Sequence, residues 1–264
     1  MKIAITGKGG VGKSTLAGTL SLLWAGDGRR VLAVDADPDA NLASALGLPP
    51  ELRARVRTIA QERGLIEERT GAKVRQFGQM FKLNPDVADI AEHYAVRHAG
   101  VDLLVLGAVP HAAGGCACPE SVLLKSLVLH LVLAPGDTVV LDMEAGIEHL
   151  GRGTAMGVDL MLAVVEPGRR SLETAQRVRG MAADLGIRRF AVVLNKSAAP
   201  AADAAWVAGE FGPATLLGVI PWDNRIAQAD RDGRSLPDLE QPDLLVPFRQ
   251  IQQTLDSLCK EKTK

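Results

Sequence analysis

Nine residues near the start of the chain, Gly7-Lys8-Gly9-Gly10-Val11-Gly12-Lys13-Ser14-Thr15, lie between a short apolar run at 3–6 and a helical pattern at 13–25. They satisfy the spacing G-x-x-x-x-G-K-[ST] in the strand–loop–helix setting that the spacing requires. Few features constrain a fold so tightly, because the loop works only where a buried strand delivers it to the head of a helix. Its glycines let consecutive backbone N–H groups turn inward around phosphate oxygens, and the helix N-terminus adds its partial positive charge. At this spacing Lys13 is expected to reach the β- and γ-phosphates and the Ser14 hydroxyl to ligate Mg²⁺. Gly9, Gly10, Val11, Gly12 and Thr15 complete the expected nucleotide cradle.

The rest of the chain repeats the same alternation of apolar runs and helical patterns, which signals a parallel α/β sheet. Strands are expected at 3–6, 31–35, 103–109, 138–142, 160–165, 191–195 and 216–220. Several are apolar at every position, as strands covered on both faces must be. Helices are expected near 13–25, 119–133, 172–185, 204–211 and 244–258. The predicted fold class is therefore a doubly wound, mostly parallel sheet of about seven or eight strands with helices on both faces. Strand signals lapse between residues 49 and 100, a stretch that reads as a helical, charge-rich insertion on one edge, with a break at Asn84-Pro85. With no repeat, linker or clean boundary, 1–264 reads as a single domain.

Composition narrows the function classes. Lys+Arg 30 against Asp+Glu 31 leaves a net charge of −1, which lacks the basic excess of a nucleic-acid binder. No apolar run reaches the roughly 18–20 residues that span a bilayer. The N-terminal residues lack the features of a signal peptide, so a cytoplasmic chain is expected. Three cysteines, two of them one residue apart, are not a disulfide framework.

Carboxylates fall where hydrolytic chemistry needs them. The second strand ends Val34-Asp35-Ala36-Asp37, at the edge where a doubly wound fold binds ligands. The strand at 138–141 delivers Asp142, with Gly146 four residues on. This spacing reads as a Walker B aspartate, holding a water on Mg²⁺, and a switch glycine sensing the γ-phosphate. Lys8 has little reason to face its own phosphates, since Lys13 already does. It is either solvated or able to reach a nucleotide held by a second subunit, as an arginine finger does.

The form K-G-G-x-G-K-[ST] resembles the deviant Walker A family of division and partition ATPases, the nitrogenase iron protein and metal-insertion ATPases. That resemblance implies an ATP-sandwiched homodimer. It also implies that Asp37 orients the attacking water, that Asn195 contacts adenine, and that Pro221 and Asp223 form the far wall of the base pocket. Asp35 is left to support the loop or the Mg²⁺ shell.

Gly114-Gly115-Cys116-Ala117-Cys118-Pro119 precedes a predicted helix. Proline suits the first helical position, so Cys118 falls at or beside the N-cap, where the helix dipole is expected to favour thiolate, the metal-binding form. A disulfide between such close cysteines would be strained. One chain offers two soft ligands and a closed thiolate site takes four, so a two-fold interface would complete a Cys₄ site from two Cys116/Cys118 pairs. Inert loop cysteines are the alternative. The run from Cys116 to Lys125, with 141–153, is similar to the carbon monoxide dehydrogenase accessory ATPases, the nickel-insertion branch of the family. The similarity runs from residue 1 to about Asp223. It implies ATP and ADP as nucleotides, Ni²⁺ or Zn²⁺ at the dimer interface, and delivery of nickel to apo carbon monoxide dehydrogenase or acetyl-CoA synthase, with no nucleic-acid or membrane partner. A partition ATPase and an iron–sulfur electron carrier of the same family are the rival readings. His111 reads as a loop histidine facing solvent, His149 as a structural hydrogen-bonding residue, and Cys259 as a small side chain at a helix edge.

Overall fold

The apolar runs form strands, and the strands join in one eight-stranded sheet. The computed structural model describes residues 1–74, 79–107, 118–131, 136–144 and 158–260. The strands are β1 (Lys2–Thr6), β2 (Val31–Ala36), β3 (Val96–His98), β4 (Val101–Val105), β5 (Thr138–Met143), β6 (Leu160–Val165), β7 (Phe190–Ser197) and β8 (Leu216–Pro221). Their spatial order is β3-β4-β2-β5-β1-β6-β7-β8, parallel throughout except for β3. The expected fold class is what the chain adopts.

The helices are α1 (Lys13–Gly26), α2 (Leu42–Ala45), α3 (Pro50–Arg53), α4 (Arg63–Thr70), α5 (Ile90–Tyr94), α6 (Pro119–His130), α7 (Arg169–Asp184), α8 (Pro200–Phe211), α9 (Asn224–Arg231) and α10 (Pro242–Lys260). Alternate strand residues point to opposite faces. Ile3, Ile5, Ala33, Val140 and Leu162 join one apolar cluster with α1 and α10, while Ala4, Val34, Val139, Leu141 and Met161 join another with α4, α6 and α7. Within the first cluster Leu20 and Phe248 are fully buried, each contributing about 1.5–3 kcal/mol by leaving water. α1 is buried almost all round because α10 covers its outer side; Trp24 Nε1 donates to Asp256 Oδ1 at 3.0 Å, tying the two helices. Among the described residues no helix is long and apolar enough to cross a membrane.

The stretch at 49–100 is only partly as expected. It holds α3, α4 and α5, and Leu65 and Ile66 of α4 pack with Leu123 and Leu127 of α6. It also supplies β3, an antiparallel edge strand that the sequence pattern missed. Three residues are too few to show an alternation, and only Val96 among them is buried. The turn into β4 is Ala99-Gly100, both at positive φ (45° and 81°), as the tight primed hairpin turns require. β4 accordingly starts two residues before the expected strand and ends at Val105.

Candidate active site

The carboxyl ends of the parallel strands set the site. Reading across the sheet, β2 and β5 bring Asp35 and Asp142, β1 brings the glycine loop, β6 brings Glu166, β7 brings Asn195 and Lys196, and β8 brings Pro221. β1 has β5 on one side and β6 on the other, so the loop opens where the strand order reverses, the crevice that binds ligands in such sheets. The carboxylates of Asp35 and Asp142 thus lie on one flank of the loop, and the Asn195 amide and the Lys196–Glu166 pair on the other.

Backbone sterics shape the loop. Gly7 has φ +152°, and a Cβ there would sit 2.4 Å from the Val164 carbonyl oxygen. Gly12, the N-cap of α1, has φ +93°, and a Cβ there would sit 2.3 Å from Asn195 Nδ2. No side chain caps α1 and no acid lies in its first turn, so its leading N–H groups remain a positive end suited to an anion. Val11 is buried, whereas Lys8, Gly9 and Gly10 are exposed. Lys13 is nearly buried and places Nζ 3.5 Å from Asp37 Oδ2.

Asp35 organises the loop after β2. Its Oδ1 accepts from the Asp37 N–H at 3.2 Å and its Oδ2 from the Leu42 N–H at 2.9 Å. Asp142, its register partner on β5, is fully buried, and neither of its carboxylate oxygens has a hydrogen-bond partner among the described residues. Burial pushes Asp142 up to about 6, offset in part by the nearby Ser14 hydroxyl and Lys13 ammonium, though the hydroxyl does not reach it with full hydrogen-bond geometry. Burial also pushes Asp35 up to about 7, with the Asp142 charge adding to it. An unpaired buried carboxylate is costly unless a cation meets it. Oxygen donors at Asp142 and Ser14 suit Mg²⁺, which takes hard oxygen ligands, needs few from the protein and keeps waters.

On the other flank, Asn195 faces the loop. Its Nδ2 donates to the Val11 carbonyl at 2.8 Å and its Oδ1 accepts from the Lys196 N–H at 2.9 Å. Lys196 Nζ donates to the Gly10 carbonyl and lies 3.9 Å from Glu166 Oε2. The sequence reading had no role for Lys196 or Glu166; a lysine directly after a strand-end asparagine was the one available signal. Pro221 ends β8 at an exposed position beside the exposed Trp222. Asp223 caps α9 by accepting the Arg225 N–H at 2.8 Å, and the Arg225 guanidinium, shared with Asp243, holds its carboxyl below the usual range.

Cys118 is the N-cap of α6, as expected, and its Sγ accepts from the Ser121 N–H at 3.4 Å. The expectation of a lowered thiol pKa needs correction. Burial pushes the thiol up, the Ser121 N–H offsets this only in part, and the Glu120 carboxylate adds to the rise. Cys116, Gly146, His111 and His149 lie outside the described residues. Among the described residues no cluster of three or more His, Cys, Asp or Glu could hold a metal. Cys259 is half-buried near the end of α10.

The CobQ/CobB/MinD/ParA nucleotide binding domain matches residues 2–236 of this chain. The chain belongs to that family. Over 239 residues it is 49% identical to the carbon monoxide dehydrogenase accessory protein CooC of Rhodospirillum rubrum, covering 90% of each chain. It is 42% identical to an uncharacterized ATP-binding protein of Methanocaldococcus jannaschii, covering 89% of this chain and 91% of that one. The solved structure of the MinD cell division protein from Aquifex aeolicus superposes with a TM-score of 0.69 at 22% identity, covering 97% of each, a likeness of fold. This ATPase therefore carries the fold, the phosphate loop and the accessory-protein similarity that its sequence motifs implied.

Proposed function

We propose that this ATPase is a cytoplasmic metallochaperone that binds ATP between two copies of itself and helps insert nickel into carbon monoxide dehydrogenase or acetyl-CoA synthase. The observation that carries the reading is where Cys118 sits relative to the nucleotide loop. Lys2, at the start of β1, donates from Nζ to the Val128 carbonyl near the foot of α6 at 2.7 Å. β4 ends with Val105 at the other edge of the sheet, the one that carries the phosphate loop, and α6 follows it in the chain with its foot at the Lys2 edge. The head of α6, with Cys118, is thus on the phosphate-loop side.

In this reading the single ATPase domain, with 49–100 as its insertion, closes on a second copy. Cys116 and Cys118 from each copy then take up Ni²⁺ or Zn²⁺ as cargo, and a bound cation draws the thiols into the thiolate form. Asp37 orients the attacking water, Lys13 and the loop N–H groups hold the phosphates, and Lys8 reaches the partner's nucleotide. Ser14 and Asp142 would hold Mg²⁺, which supplies charge neutralisation at the β- and γ-phosphates. Gly146 follows the γ-phosphate, and Asn195, Pro221 and Asp223 border the base. Closure changes metal affinity only if metal favours the closed dimer equally, since the coupling is reciprocal.

The test is a titration of Ni²⁺ and Zn²⁺ into the protein with and without ATP, read by native mass. One metal per ATP-bound dimer, lost on Cys116→Ala with Cys118→Ala, is the expected result. ATP-driven dimerisation with no metal bound would overturn the delivery reading in favour of a positioning ATPase, and a brown chromophore would favour an iron–sulfur carrier.

A further inference from the structure

Lys196 is a lysine in a conformation that lysine seldom takes. It is the last residue but one of β7 and has φ +58°, one of four non-glycine residues at positive φ among the described residues. Left-handed backbone at a side chain other than glycine, asparagine or aspartate is unfavourable and persists only where surrounding contacts impose it. Two contacts do so here. The Lys196 N–H is taken by Asn195 Oδ1 at 2.9 Å, and the Lys196 ammonium reaches across to the Gly10 carbonyl. Glu166, on the loop that follows β6, stands 3.9 Å from the same ammonium as its counter-charge.

The result is that two consecutive carbonyls of the phosphate loop are gripped from β7, Gly10 by Lys196 and Val11 by Asn195. In a trans peptide the C=O and the following N–H point in opposite directions. Holding the Val11 carbonyl toward β7 turns the Gly12 N–H the other way, toward the side where phosphate would lie, while the Val11 N–H is taken by the Lys8 carbonyl at 3.3 Å in a turn over Gly9-Gly10. Gly9 and Gly10 are exposed and held within the loop by that one turn bond, so the grip from β7 is what anchors the turn to the sheet.

We propose that Lys196, with Glu166 as its counter-charge, is a positioning residue for nucleotide binding that holds the Gly10 carbonyl and presets the loop to receive phosphates. The proposal rests on the reading of this loop as the nucleotide site. A side chain that preorganises a loop acts on affinity, because without it the binding-competent shape must be ordered at the moment of binding.

The test compares wild type with Lys196→Met, Lys196→Arg and Glu166→Gln. Mg–ATP and Mg–ADP affinities are measured by calorimetry, KM and kcat by steady-state hydrolysis, and folding by thermal melting. Lys196→Met is expected to raise Kd and KM for both nucleotides together by about tenfold, the loss of one charged hydrogen bond, outweighing any change in kcat. Lys196→Arg is expected to recover most of that loss, and Glu166→Gln to lose affinity in the same direction but less. Wild-type affinity in Lys196→Met, a loss confined to kcat, or a lower melting temperature with no rescue by arginine would each overturn the proposal. Failure of the wild type itself to bind ATP would instead overturn the nucleotide-site reading.

Discussion

Asp35 and Asp142 are register partners on adjacent parallel strands, and both are buried at the mouth of the phosphate loop. Asp35 spends its oxygens on two backbone N–H groups, which leaves Asp142 as the carboxylate without a partner among the described residues. Asp142→Asn removes that charge. At pH 8 the nucleotide-free variant is expected to melt about 2–4 °C above wild type, the shift that roughly 1 kcal/mol makes in a domain this size. The folded value of about 6 lies above the ordinary 3.8, so wild type loses stability as pH rises through that interval and the advantage vanishes near pH 4. Mg²⁺-dependent hydrolysis falls by about a hundredfold or more. Melting curves at two pH values and a Mg²⁺ titration of ATPase rate check both halves.

Lys13 and Asp37 are paired before any phosphate competes for the lysine. Asp37→Ala is expected to free the ammonium for the nucleotide, so ATP affinity is retained or rises a few-fold. Hydrolysis is expected to fall by about a hundredfold on the proposed reading of Asp37 as the carboxylate that orients the attacking water. Calorimetry beside single-turnover hydrolysis separates the two effects. Loss of ATP affinity would assign Asp37 to binding instead.

The loop glycines are not equivalent. At Gly12 a methyl group meets Asn195 Nδ2 at 2.3 Å on a left-handed backbone, while at Gly9 a Cβ meets nothing within 4 Å. Gly12→Ala is expected to lower the melting temperature by several degrees, for a cost of about 1–3 kcal/mol, and to weaken ATP binding by more than about tenfold. Gly9→Ala leaves the melting temperature unchanged. Equal melting of the two variants would contradict the geometry.

What was legible in the sequence followed from long-range rules that leave local marks. Buried parallel strands read as continuous apolar runs, as β6 does throughout and β5 does from Val139 to Leu141, and a loop glycine must precede Lys13 whatever the neighbours do. β3 left no such mark, being three residues held by a two-residue turn. The Cys118 thiol was misjudged because N-cap position is visible in a sequence while burial and the Glu120 charge depend on packing. The role of Lys196 was not legible for the same reason, although its place after Asn195 was. Its role depends on a contact between residues 186 positions apart, and only the fold brings β7 to the phosphate loop.

Lys2 offers a pH signature away from the nucleotide. It is nearly fully buried at the foot of β1, its Nζ bonded to the Val128 carbonyl, and burial lowers it to about 8 against an ordinary 10.5, with the Asp159 charge opposing. Between those two values the unfolded chain binds the proton and the folded chain does not, so stability rises with pH across the interval. Below about 8 the cost of burying the ammonium is fully present. Lys2→Met removes both the titration and the bond to α6. Relative to that variant, wild type is expected to gain about 1 kcal/mol per pH unit from pH 8.5 to 10. Denaturant unfolding of both proteins at several pH values measures the difference free of other titrations. A difference that stays flat over that range would mean that Lys2 keeps its proton in the fold, and that the bond to Val128 outweighs its burial.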